Sequence, residues 1–195
     1  MSDGDRVPAD EPTPADEPTP TAAGDSESSP VVRSDPRATL TRLVEEAIGT
    51  DPAALDDGVE LAERGDDPGP ATRVLDRVAG SESIVGVVPQ VEPSLARGLA
   101  GRVDGDVRLV FTGSAGKRLT GPSGPPVRAV LANHGVEASV HEGDSPLGVL
   151  LVGERALVGL FDDDGLAAVL SSDSPPFREW VTATCRRYFA AAEPV

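Results

Sequence analysis

The alternation of uninterrupted apolar runs with segments of helical period restricts this chain more than any other feature. Ile84-Val85-Gly86-Val87-Val88 is stopped by Pro89, the pattern of a strand covered on both faces. Leu95, Leu99 and Val103 follow at helical spacing, and Val107-Arg108-Leu109-Val110-Phe111 forms a second such strand. A second helix through Val127, Val130 and Leu131 closes at Asn133-His134-Gly135, and residues 136–140 make a third, alternating strand. Strand, helix, strand, helix, strand at this spacing predicts a parallel sheet.

Beyond residue 145 the rhythm changes. Three apolar runs, residues 147–152, 156–161 and 166–170, are joined by Gly153-Glu154-Arg155 and by Asp162-Asp163-Asp164-Gly165, so an antiparallel meander is expected. A last helix starts near Ser174, with Pro175 and Pro176 in its first turn and Phe177, Val181, Cys185, Tyr188 and Phe189 along one side. The expected fold class is α/β: a three-layer domain with a mixed sheet, a parallel βαβαβ part followed by an antiparallel meander, closed by a C-terminal helix. A short strand at Val59-Glu60-Leu61-Ala62-Glu63 and a helix through Val74, Leu75 and Val78 precede it.

Residues 1–34 are acidic and rich in Pro and Thr, and Ala-Asp-Glu-Pro-Thr-Pro occurs at 9–14 and again at 15–20. A segment that buries no hydrocarbon cannot offset a backbone entropy of roughly 1–2 kcal/mol per residue, so a disordered tail is expected. Residues 35–50 predict an amphipathic helix with Leu40, Leu43, Val44, Ala47 and Ile48 in one stripe. Its apolar face suggests a homodimer contact. The main domain is expected over 55–192.

Net charge is −16, the pI is 4.4, and Lys117 is the only lysine. Such a surface suits a halophilic protein that stays hydrated in concentrated salt, where screening reaches only about 3 Å at 1 M. The charge therefore says little about a basic ligand. Cys185 stands alone, which excludes an internal disulfide and a Cys-based zinc site. No signal-peptide core or long apolar span occurs, so a cytoplasmic protein without a membrane is expected.

Little catalytic chemistry is visible. Thr112-Gly113-Ser114-Ala115-Gly116 follows a strand, but Thr112 replaces the first glycine of a G-x-S-x-G elbow. A flexible loop is expected there instead. His134 and His141 lack ligand spacing, so neither a metal nor another cofactor is expected. Asp162-Asp163-Asp164-Gly165 reads as a hairpin turn rather than a calcium loop. Open α/β sheets bind ligands beyond the carboxyl ends of their strands. That places a ligand-binding site at Gln90, Thr112 and Ser114, with Lys117 and Arg118 on the following loop to orient a small molecule, an anionic one included.

From about Leu55 to Tyr188 the chain resembles the domain that follows the winged helix in a family of archaeal transcription regulators, described in methanogens as methanogenesis regulators and abundant in haloarchaea. The resemblance rests on Arg73-Val74-Leu75, Ile84 through Pro89 with Pro93, and Leu109-Val110-Phe111-Thr112. It continues through Gly135-Val136, Leu147-Gly148-Val149, Val158-Gly159-Leu160-Phe161-Asp162 with Gly165, Leu170-Ser171-Ser172, Trp180 and Tyr188. The resemblance implies an effector-sensing and dimerising domain without catalytic residues. The winged helix that usually binds DNA in this family has no counterpart in the sequence. The phospholipase-D-like fold with which such domains are compared would need H-x-K-x-x-x-x-D for activity, and Ala115 stands where that histidine would precede Lys117.

The expected function is therefore effector sensing by a transcription-regulator domain that acts without its own helix-turn-helix. Its partners would be an unknown small-molecule effector and either a second copy or a partner regulator, with direct nucleic-acid binding doubtful. Two alternatives stand beside it: a DNA-binding regulator with an unrecognised contact surface, and a small-molecule hydrolase using the Ser114/Lys117 loop.

Overall fold

The computed structural model describes residues 35–52, 58–92, 95–96, 98 and 105–195. The expected tail over 1–34 and the continuation past Leu95 of the helix expected through Leu99 and Val103 lie outside the described residues. In chain order the elements are α1 (Pro36–Ile48), β1 (Glu60–Glu63), α2 (Pro70–Val78), β2 (Ser83–Val88) and β3 (Asp106–Phe111). They continue with α3 (Gly113–Thr120), α4 (Gly124–Asn133), β4 (Val136–Val140), β5 (Leu147–Val152), β6 (Arg155–Asp162), β7 (Gly165–Ser172), α5 (Pro175–Ala191) and β8 (Glu193–Pro194).

All eight strands join one mixed sheet in the order β1-β7-β6-β5-β2-β3-β4-β8. The β2, β3 and β4 strands are parallel, with Ile84 opposite Val107 and Val107 opposite Val136. The meander β5–β6–β7 is antiparallel throughout and joins β2 through β5, with Gly86 opposite Leu150. This is the expected mixed α/β architecture.

Each face of the sheet carries its own core, as the period of two along a strand requires. On one face Val87, Val110, Val149, Val158 and Leu170 meet Leu40 and Val44 of α1 and Phe177, Val181 and Cys185 of α5. On the other, Ile84, Val107, Val152, Leu157 and Val169 meet Val74 and Val78 of α2, while Phe111 meets Ala115 and Leu119 of α3. The α1 helix begins where the sequence placed it: Asp35 accepts the Ala38 amide at 3.2 Å, Pro36 sits in the first turn, and Gly49 ends it at φ 70°. Leu40 and Val44 are fully buried in the single chain, so the centre of the stripe proposed for a dimer already serves the domain's own core.

The Thr112–Gly116 segment differs from the flexible loop expected. It opens α3 directly, with Gly113 as the first helical residue. Gly113 and Gly116 have low helix propensity, but tertiary contacts override this, because Ala115, Gly116 and Leu119 are all buried. A Cβ on Gly116 would come within 3.1 Å of the Phe111 carbonyl, so the close seating of α3 on β3 and β4 needs glycine.

Candidate functional site

A cavity of about 330 Å³ lies over the second face of the sheet, a size within the range of small-molecule sites. Its floor is formed by Leu109 and Phe111 of β3, Leu150 of β5, Leu157 and Phe161 of β6, and Val169 of β7. Val74 and Val78 of α2, Leu119 of α3, Val127, Val130 and Leu131 of α4, and Leu95 complete its walls. The α4 helix seals it loosely. Its residues past Gly124 are at best half-buried, and Val130 is 55% exposed at the cavity's edge.

Two glycines give the cavity its depth. Gly148 of β5 and Gly159 of β6 are register partners, and both line the space. A Cβ on Gly148 would stand 2.8 Å from the Phe161 ring, and one on Gly159 would stand 3.5 Å from it. The ring therefore lies across bare backbone. Glycine inside a strand marks such a close approach, and the benzyl group occupies room that two side chains would otherwise fill.

Polar groups are confined to the ends. Since β2 and β6 both run antiparallel to β5, the end of β6 lies at the same edge of the sheet as the residues after β2. Gln90 and Glu92 line the cavity there, near Phe161 and Leu166. Glu92 accepts the Leu166 amide at 3.3 Å, while Gln90 is half-buried and makes no side-chain hydrogen bond with any described residue. His134, at the end of α4, lines the opposite end near Val107 and Val136.

The turn beside the Gln90 end is rich in carboxylates. The β6–β7 turn carries Asp162, Asp163 and Asp164, and Asp162 accepts the Asp164 amide at 2.9 Å, which makes it the tight turn the sequence predicts. Arg64 holds Asp162 in a two-pronged pair at 2.7 and 2.9 Å. That hydrogen bonding keeps the Asp162 carboxyl below its ordinary range and raises the Arg64 guanidinium.

Of the residues placed at a ligand site from sequence, the structure brings only Gln90 to the cavity wall. Thr112 is fully buried at the N-cap of α3, and its hydroxyl has no hydrogen-bond partner among the described residues. Ser114 donates to the Pro89 carbonyl at 3.3 Å. Lys117 and Arg118 are exposed in the last turn of α3 and are not among the lining residues. Sequence reasoning missed Glu92, His134 and Phe161 as lining residues. The available signal was the glycine within each of two otherwise apolar strand runs, at Gly148 and Gly159.

The histidines occupy different places. His134 edges the cavity, whereas His141 accepts the Gly143 amide on Nδ1 at 2.9 Å and meets the Tyr188 ring edge-on at 5.0 Å. Trp180, Tyr188 and Phe189 pack against the first core rather than forming a stacking platform. Among the described residues no group of His, Cys, Asp or Glu is placed to hold a metal ion, and no helix is long and apolar enough to cross a membrane.

Residues 69–191 match a protein family described as the middle domain of the methanogenesis regulatory protein FilR1. The chain belongs to that family. The FilR1 middle-domain match begins at the N-cap of α2 and ends with α5, so it contains every residue identified above as lining the cavity. It supports a regulatory-protein domain of transcription-regulator type. A search of curated proteins finds no match.

Among solved structures the fold is similar to Nuc, a phospholipase D family member from Salmonella typhimurium, with TM-score 0.56, 16% identity, and coverage of 70% of this chain and 97% of that one. NucT from Helicobacter pylori is similar at TM-score 0.55 and 9% identity, covering 70% and 98%. TrmBL2, an archaeal chromatin protein with a novel mode of DNA binding, gives TM-score 0.53 and 12% identity, covering 81% of this chain and 62% of TrmBL2. The present chain thus spans under two thirds of TrmBL2. At these identities the likeness concerns the fold.

Proposed function

We propose that this FilR1-type domain is an effector sensor: a small, largely apolar molecule occupies the cavity between the sheet and α2, α3 and α4, and its binding is passed to a DNA-binding partner or a second copy. The cavity carries the reading. It combines a nearly continuous hydrocarbon lining with a few polar groups at its two ends, the composition expected of a site that binds by burial and orients by one or two hydrogen bonds.

A regulatory rather than catalytic role is supported by the chemistry at α3. The Ser114 hydroxyl is turned to a backbone carbonyl, which cannot activate it as a nucleophile. Direct DNA binding is disfavoured by the charge of −16, which opposes a polyanion. Arg37, Arg64, Arg73, Arg77 and Arg155 are also all committed to carboxylates.

The test is binding of the neutral fluorescent probe N-phenyl-1-naphthylamine. The wild-type chain is expected to bind it saturably, and Leu109→Trp, which fills the cavity from its floor, to weaken binding by about tenfold or more while the circular dichroism spectrum is retained. Equal binding by wild type and variant would contradict the proposal.

A further inference from the structure

We infer that the outer surface of α3 and α4 is where the domain engages a partner protein, by holding an acidic, amphipathic segment of that partner. The surface stands on charge and exposure; what it relays rests on the reading of the cavity as an effector site.

The first observation is where carboxylates are missing. The chain has 33 of them in 195 residues, about one in six, yet residues 107–136 contain none. Residues 93–103 contain none either, so Asp104 and Asp106 are the only carboxylates between 93 and 136, against six basic residues. The rest of the chain carries 31 carboxylates and 11 basic residues. One continuous segment of +4 therefore lies within a chain of net charge −16. Burial does not explain the gap. Most positions from Lys117 to Gly135 are exposed, and exposed positions on the other helices take Glu45, Glu46, Asp76 and Glu179.

The second observation is what the surface offers in their place. Lys117 and Arg118 stand exposed in the last turn of α3 and are ion-paired to no described residue. Arg128 of α4 donates to the Leu119 carbonyl, which sets α4 beside that turn. The outward face of α4 is apolar, with Pro126, Ala129 and Val130 exposed, Val130 at 55%. A cationic edge next to an apolar helix face complements a segment with carboxylates on one side and hydrocarbon on the other. A nucleic acid would use the edge alone, and two free cations release few counterions. A second copy meeting this face across a two-fold axis would bring the same cations against one another.

The third observation joins this surface to the cavity. Val127, Val130 and Leu131 of α4 line the cavity, so Val130 belongs to both. A molecule filling the space beneath α4 alters the seating of a helix whose far side holds the partner, and the two binding free energies are then linked.

The experiment uses a fluorescein-labelled peptide of about twenty residues, with leucine and alanine on one helical face and glutamate on the other. Saturable binding to the wild-type chain is expected, against its net charge. The same peptide with serine in place of leucine, and a short DNA duplex carrying the same label, should bind at least about tenfold more weakly. Lys117→Gln with Arg118→Gln, and separately Val130→Ser, should each weaken the peptide by about fivefold or more with the circular dichroism spectrum retained. Arg178→Gln with Arg186→Gln, which removes two cations of α5, should leave it unchanged. Saturating N-phenyl-1-naphthylamine should shift the peptide's affinity by about threefold or more.

Absence of peptide binding, or binding indifferent to both the α3 and the α4 variants, would overturn the surface. Duplex DNA bound as tightly as the peptide would reassign it to a polyanion, and a dimer seen by light scattering and lost in Val130→Ser would reassign it to a second copy. A peptide affinity untouched by bound probe would overturn the relay. Failure of the probe itself to bind would overturn the effector-site reading and leave the surface standing.

Discussion

The edge of the Phe161 ring comes close to the sheet because Gly148 and Gly159 leave it room, and small changes there should have unequal effects. In Gly148→Ala the new methyl would stand 2.8 Å from the ring and 3.3 Å from Pro89 Cδ. The ring can retreat into the cavity, so the expected loss is about 1 kcal/mol, the low end of overpacking costs, together with weaker probe binding. Gly86→Ala offers no such escape, because its Cβ would meet the Val149 carbonyl at 2.5 Å; a loss above about 3 kcal/mol is expected. Urea denaturation of both variants measures the contrast, and equal losses would mean that the space over Phe161 is not free. Cys185 illustrates the opposite case of a fully satisfied residue. Burial pushes its thiol up to about 12, so it stays protonated and acts as a small core side chain. At this scale the sequence revealed little of the site. Gly148 and Gly159 stood inside apolar strand runs, but nothing there showed that the Phe161 ring, thirteen residues from one and two from the other, would reach both.

Among the elements, β1 and α2 are joined by charge as well as by packing. Glu60 pairs with Arg77, with Arg73 at 3.6 Å and with Arg155 at 3.6 Å, and the Arg77 hydrogen bond holds its carboxyl below the ordinary value of 4.5. A carboxyl depressed in the folded state contributes stability that is complete above its unfolded value and is lost as pH falls through the folded one. The wild type should therefore lose this contribution as pH falls below about 4.5, whereas Arg77→Gln, less stable at neutral pH, should show a shallower acid limb and converge on the wild type once the carboxyl is protonated in both. Partial exposure limits the difference at neutral pH to about 1 kcal/mol or less. Denaturation curves across this range check it, and parallel curves for the two proteins would remove Glu60 as their source.

Strands and the terminal helices were legible because their apolar residues repeat with a clear period, as at Leu40 and Val44 or Phe177, Val181 and Cys185. The α3 helix was not. Gly-Ser-Ala-Gly carries no helical signal of its own, and the segment folds because Ala115 and Leu119 find partners on Phe111, a contact fixed only once β3 and β4 are side by side.

For the whole molecule, the change from a parallel to an antiparallel half was readable in the shift from long helical connections to short turns. The strand order was not, since the position of β5 beside β2 depends on which apolar faces must be covered together. The same geometry decides where a ligand can go. Topology alone pointed to the carboxyl ends of β2 and β3, and the cavity does reach Gln90 there, but it extends beneath α4 along the sheet rather than out toward Lys117 and Arg118. Leu40 and Val44 of the α1 stripe, which suggested a dimer, belong to the opposite core, while Ala47 of the same stripe is exposed.

The central claim is that the cavity is the effector site, and a crystal structure of the chain soaked with N-phenyl-1-naphthylamine tests it most directly. The account predicts electron density for the probe between the Phe161 ring and Leu109, with its N–H directed to Gln90 or Glu92. An empty cavity with the probe bound on the outer face of α3, at Lys117 and Arg118, would contradict it.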